Sequence, residues 1–121
     1  MAGSFCTAVL YTRAVDRAAA FYAQLVGWTA EEVAGTRLHR LLKSGGRIVA
    51  SLQQIVQGDD TWVPHVSVSN AQRAVANALA LGATLENTIE VPGLAKLATL
   101  RDPEEALFGL WEPAPHQGAQ L

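Results

Sequence analysis

Few side chains in this 121-residue sequence can do chemistry. It holds three histidines (His39, His65, His116) and one cysteine, Cys6. His65 lies in Trp62-Val63-Pro64-His65-Val66, where an imidazole can move a proton, hold a metal, or serve as a hydrogen-bonded core residue. His39 stands among Arg37 and Arg40 and is expected to alternate into solvent, and His116 falls in an aperiodic tail. Cys6 has no nucleophile motif around it and is expected to be a small buried residue at a strand start. The sequence contains no G-x-S-x-G, Walker loop, dinucleotide fingerprint, C-x-x-C or H-E-x-x-H. Ser44-Gly45-Gly46 reads as a hairpin turn, because no helix start follows it to cradle a phosphate. The aromatics Tyr11, Trp28, Trp62, Phe108 and Trp111 lie in or beside strands. They could wall an apolar pocket for a small organic ligand, or simply fill a core.

The elements that position these residues follow from periodicity. Phe5 to Thr12 reads as a strand, rich in apolar and extended-backbone residues. Ala14, Ala18, Phe21, Tyr22 and Leu25 make one face of a helix that ends at Gly27. Strands are predicted over 28–33, 37–42 and 47–56. A polar connector, Gln57-Gly58-Asp59-Asp60, leads to a strand over 62–69. Asn70 is a candidate helix N-cap, and Ala71, Ala74, Val75, Ala78 and Leu79 fall on one face of a helix stopping at Gly82. Strands over 83–91, 94–100 and 106–111 complete the order βαβββ, βαβββ. Arg17-Ala18 and Arg73-Ala74 stand 56 residues apart, and Gly27, Thr29 and Glu31 match Gly82, Thr84 and Glu86 in the same order. The expected organisation is one domain over 3–115, with module one at 3–56, module two at 61–115 and a flexible tail at 116–121. Trp28, directly after the helix-ending Gly27, is expected to be structural.

Two segments resemble a known family. Arg17-Ala18-Ala19-Ala20-Phe21-Tyr22 followed by Leu25-Val26-Gly27-Trp28 resembles one signature of the glyoxalase/bleomycin-resistance/extradiol-dioxygenase proteins, the vicinal oxygen chelate group. Asp102-Pro103-Glu104-Glu105 through Phe108-Gly109-Leu110-Trp111-Glu112-Pro113 resembles that group's ending, with Glu105 where glycine is usual. The resemblance runs from Phe5 to Pro113. It implies an α+β fold in which two βαβββ modules form a cupped mixed sheet with the helices outside. Metal-using relatives hold a divalent ion with four inward side chains on the first and last strands of each module. His65 and Glu112 match two of those slots. The others fall on Thr7 (or Val9, which shares its face) and Gln54. This set is poor for a first-row metal, since threonine is a rare ligand and valine cannot be one.

The resemblance therefore leaves several readings open. The first is a small-molecule-binding protein without a tightly bound metal, with His65 and Glu112 as catalytic or polar groups. Tyr11, Leu52, Gln54, Trp62, Ser67 and Leu110 would contact the substrate. The second is a lyase, isomerase or dioxygenase with an unusual divalent-metal set of His65, Glu112, Gln54 and Thr7. The third is a structural or regulatory dimer without a ligand. A homodimer is expected because relatives cover their sheet edges with a second subunit. Composition limits the other partners. Half the residues are apolar and 17% charged, which argues against disorder. A net charge of −2 provides no field for gathering nucleic acid. The N-terminus lacks a signal peptide's basic and apolar regions, and no apolar run approaches the ~20 residues of a membrane span. With a single cysteine, a cytoplasmic location is expected.

Overall fold

The computed structural model describes residues 2–33 and 35–115. The expectations for His116 and for a flexible tail at 116–121 lie outside the described residues. The elements run β1 (Phe5–Thr12), α1 (Val15–Val26), β2 (Thr29–Glu32), β3 (His39–Ser44), β4 (Arg47–Gln54), β5 (Thr61–Ser67), α2 (Ala71–Ala80), β6 (Thr84–Val91), β7 (Ala95–Arg101) and β8 (Leu107–Pro113). This is an α+β chain of two βαβββ modules. Two compact units form: Thr7–Trp62, and Val63 onward together with the residues up to Cys6. The N-terminal piece joins that second unit through backbone bonds from Gly3 N–H to the Ser67 carbonyl (2.6 Å) and from Ser67 N–H to the Ser4 carbonyl (2.8 Å).

In the Thr7–Trp62 unit the strand order is β2-β3-β4-β1. The pairing of β1 with β4 is parallel and the other two pairings are antiparallel. α1 covers one face of this sheet. Ala18, Ala19 and Tyr22 pack on Leu10, Leu42, Ala50 and Leu52, with Trp28 and Trp62 at the margin. Trp28 stacks on Tyr22 at 5.5 Å between ring centroids, and the Trp62 indole donates to the Tyr22 hydroxyl at 3.0 Å. Gly27 ends α1 in the left-handed region at φ 76°, a conformation that suits glycine.

The other unit repeats the plan in the order β5-β8-β7-β6, with β5 and β8 parallel. Ala74, Val75 and Ala78 of α2 pack on Ala98, Leu100 and Leu110. The Asn70 side chain accepts from Arg73 N–H at 2.9 Å, as its type at that position predicts. Residues 9–12, 50–53 and 97–100 are each buried four in a row, so these stretches of β1, β4 and β7 are buried on both faces. His39 is accordingly 1% exposed rather than alternating into solvent. Cys6, expected to be buried, is exposed. Glu105 takes φ 74°, so the left-handed turn survives without its usual glycine. The Asp102 carboxylate supports it by accepting from the N–H groups of Glu104 (2.9 Å) and Ala106 (3.0 Å).

Candidate functional site

Strand register decides which side chains can act together. β5 pairs with β8 so that His65 faces Gly109 and Ser67 faces Trp111, while Val66 faces Leu110. Side chains alternate along a strand, so His65, Ser67, Gly109 and Trp111 share one face. Leu110 lies on the other face, packed beneath α2. Glu112 is three residues from Gly109 and so also points to the α2 side. Its Oε1 accepts from Ala71 N–H at 2.8 Å, the first residue of α2. The expectation that His65 and Glu112 point into one cup is therefore corrected. The imidazole and the carboxylate occupy opposite faces of β5 and β8, and the carboxylate caps a helix.

His65 is fully buried, and its Nδ1 lies 3.0 Å from the Val63 carbonyl. Trp111 meets the ring edge-on at 6.1 Å. Directly across the ladder, Gly109 has no side chain. A Cβ built there would fall 2.3 Å from His65 Nε2, so the imidazole fills the space a side chain would need. Ser67, expected to touch substrate, does share this face and is buried.

The first unit shows the same parity. β1 and β4 pair Leu10 with Leu52, Tyr11 with Gln53 and Thr12 with Gln54. Leu52 belongs to the core beneath α1, and Trp62 packs at the margin of that core. Neither points to the face that carries Tyr11, which corrects the expectation of a common inner surface. Gln54 is likewise turned to α1: its Oε1 accepts from Val15 N–H at 3.4 Å, and its Nε2 donates to the carbonyls of Arg13 and Ile55. Tyr11 is buried on the helix-free face, and Thr7, half-buried, follows the same alternation as Val9 and Tyr11.

That helix-free face also holds His39, expected in solvent, paired with Gln53. His39 stands opposite Gln53 on β3 and β4, and His39 Nδ1 lies 2.8 Å from Gln53 Oε1. Burial pushes the His39 pKa below its ordinary value, and the Gln53 contact opposes that shift in part. Burial on both faces of β3 was the missing signal. The sequence shows it only in Leu41 and Leu42, where alternation breaks down.

The residues present do not make a first-row metal centre as the resemblance would supply one. Among the described residues no group of three or more His, Cys, Asp or Glu side chains converges. The place across from His65 is a glycine, and Glu112 and Gln54 are committed to helix starts. Thr7 adds only a hydroxyl, 3.5 Å from the Ala8 carbonyl.

Comparison with known proteins agrees with the fold. The sequence profile of the family described as "Glyoxalase-like domain" matches residues 7–111. The chain is 32% identical over 113 residues to "Putative glyoxylase CFP32" of Mycobacterium bovis, covering 89% of this chain and 43% of that protein. It thus spans less than half the length of that curated relative. Methylmalonyl-CoA epimerase from Mycobacterium tuberculosis superposes with a TM-score of 0.62 at 18% identity, covering 98% of this chain and 96% of that one. A Mn(II)-bound glyoxalase from Novosphingobium aromaticivorans superposes with a TM-score of 0.60 at 16% identity, covering 92% of this chain and 39% of that one. At these identities the two structures speak for the fold alone.

Proposed function

The chain belongs to the glyoxalase-like domain family, and from that premise we propose that it binds a small organic ligand on the helix-free sheet face without a tightly held metal. The observation that carries this reading is the donor chemistry at His65. Its ladder partner is Gly109, and the nearby carboxylate of Glu112 serves α2 on the opposite face. A divalent ion needs several basic or anionic ligands to compete with water, and on the face of its own unit His65 has Ser67, Gly109 and Trp111 beside it, which add none. An apolar face carrying a few polar groups suits an organic ligand better. His65 and Ser67 provide such groups beside Trp111. His65 is fully buried, so entry of a ligand requires side-chain movement at this face. Where the ligand is turned over, His65 is the group to hold or move a proton.

The relatives favour one alternative, a metal-dependent activity, because one superposing glyoxalase carries Mn(II). Metal analysis of protein purified without chelator separates the two. Substoichiometric metal in both wild type and His65→Ala is expected. A stoichiometric ion that disappears in His65→Ala would establish the alternative. A panel of small aromatic and carbonyl compounds should raise the melting temperature of wild type, since a ligand selective for the folded state stabilises it. The protein is further proposed to act as a homodimer in the cytoplasm. Phe21, Leu25 and Val26 of α1 are exposed apolar side chains suited to a second copy. Light scattering giving a monomer mass at micromolar concentration would refute that state.

A further inference from the structure

On the helix side of the Thr7–Trp62 unit lies a surface the glyoxalase-like reading does not use. A groove of about 850 Å³ opens at the start of α1, lined by Arg13, Arg17, Arg37 and Arg40 together with Asp16, Glu32 and Gln54. The chain has nine Lys and Arg in all and a net charge of −2, so this groove gathers nearly half of its cations. The four arginines come from different places: the loop before α1, its first turn, the β2–β3 connection and β3 itself. Their own carboxylates neutralise them only in part. Arg40 meets Asp16 at 2.9 Å, Arg13 meets Asp60 at 3.5 Å and Arg37 meets Glu32 at 3.9 Å. Among the described residues Arg17 has no ion-pair partner. Among the described residues the buried Nε of Arg40 has no hydrogen-bond acceptor, and the Arg40 side chain is only 17% exposed.

The two modules differ at the matching point. In the second, the Glu112 carboxylate sits on the first N–H of α2. In the first, the neutral amide of Gln54 takes that place on α1. The first turn of α1 does carry a carboxylate, Asp16, but it is drawn to Arg40, and the four arginines of the groove outnumber Asp16 and Glu32. We propose that this groove binds a compact oxyanion of two or more charges, the phosphate group of a small molecule or free phosphate. Guanidinium forks match the geometry of such groups, and the N–H groups of the first turn of α1 add to the field.

Titration calorimetry of the full chain at constant ionic strength tests the proposal, with inorganic phosphate and glycerol phosphate as probes. Both should bind saturably, and the tighter of the two identifies the source. Arg17→Gln should weaken binding about tenfold, the loss expected for a charge-assisted contact. Arg17 is exposed, so this variant should fold. Arg73→Gln, the same change at the matching exposed position of α2, should leave affinity unchanged. Absence of saturable heat for both probes, or an equal loss in Arg73→Gln, would overturn the site. Metal content and binding at the His65 face are untouched by either result, so this proposal and the reading above fail separately.

Discussion

Gly109→Ala puts the packing at His65 to a quantitative test. A Cβ at position 109 would lie 2.3 Å from Nε2, 2.4 Å from Cδ2 and 2.5 Å from Cε1 of His65. Three ring atoms are hit at once, so a small ring rotation cannot relieve the clash. Retreat is limited too, because His65 is fully buried and its Nδ1 faces the Val63 carbonyl at 3.0 Å. Gly109 is not in the left-handed region, so alanine meets no backbone strain there. Alone, that would stabilise by roughly 0.4–1 kcal/mol through the unfolded chain. Overpacking of a rigid core costs roughly 1–3 kcal/mol and wins. A net loss of about 1–2 kcal/mol follows. Each kcal/mol should lower the melting temperature by roughly 3–5 °C at this chain length. Urea unfolding followed by tryptophan fluorescence measures it. The informative comparison is the same substitution made in His65→Ala, where the imidazole is gone and the new methyl has space. There Gly109→Ala should be neutral or stabilising, with a coupling of about 1 kcal/mol or more. An equal loss in both backgrounds, or no loss in wild type, would refute the packing argument.

Three further outcomes follow from other contacts. Glu112→Gln removes the anion at the start of α2 and should cost about 0.5–1 kcal/mol at low salt, less at high salt; a salt-independent loss in urea titrations would show that charge is not the cause. His39 has a depressed pKa in the fold, so its neutral form is favoured there. Its stabilising effect is complete above the unfolded value of about 6.5 and is lost as pH falls from there toward the folded value. The urea midpoint of His39→Gln should therefore fall less than that of wild type between pH 7 and pH 5, and parallel pH profiles would remove His39 as the source. Glu105→Gly relieves a non-glycine residue at φ 74° and should raise stability by roughly 0.5–1 kcal/mol; a variant melting at or below wild type would mean the Asp102 turn already absorbs that strain.

Much of the architecture was legible because it depends on local signals. Asn70 caps α2, Gly27 ends α1, and the repeated βαβββ order follows from periodicity and turn residues. Gln54 at the end of β4 and Glu112 near the end of β8 hold matching places in the two modules. Gln54 and Glu112 each accept a hydrogen bond from the first residue of their own module's helix, Val15 and Ala71. What local signals do not carry is which face those residues occupy. A shift of one residue in pairing moves every side chain to the other side of the sheet, and register is set by long-range packing. Leu52, Gln54, Leu110 and Glu112, expected on one face with His65, all belong to the helix side. The consequence for chemistry is specific. Only positions 107, 109, 111 and 113 of β8 can share a face with His65, and they hold Leu107, Gly109, Trp111 and Pro113. None of these side chains can transfer a proton or bind a hard metal ion. Within its own unit, Ser67 on β5 and Thr99 on β7 are buried hydroxyls on the His65 face. Hydroxyls orient a ligand's polar group without adding charge, which is the role the proposed ligand site would ask of them.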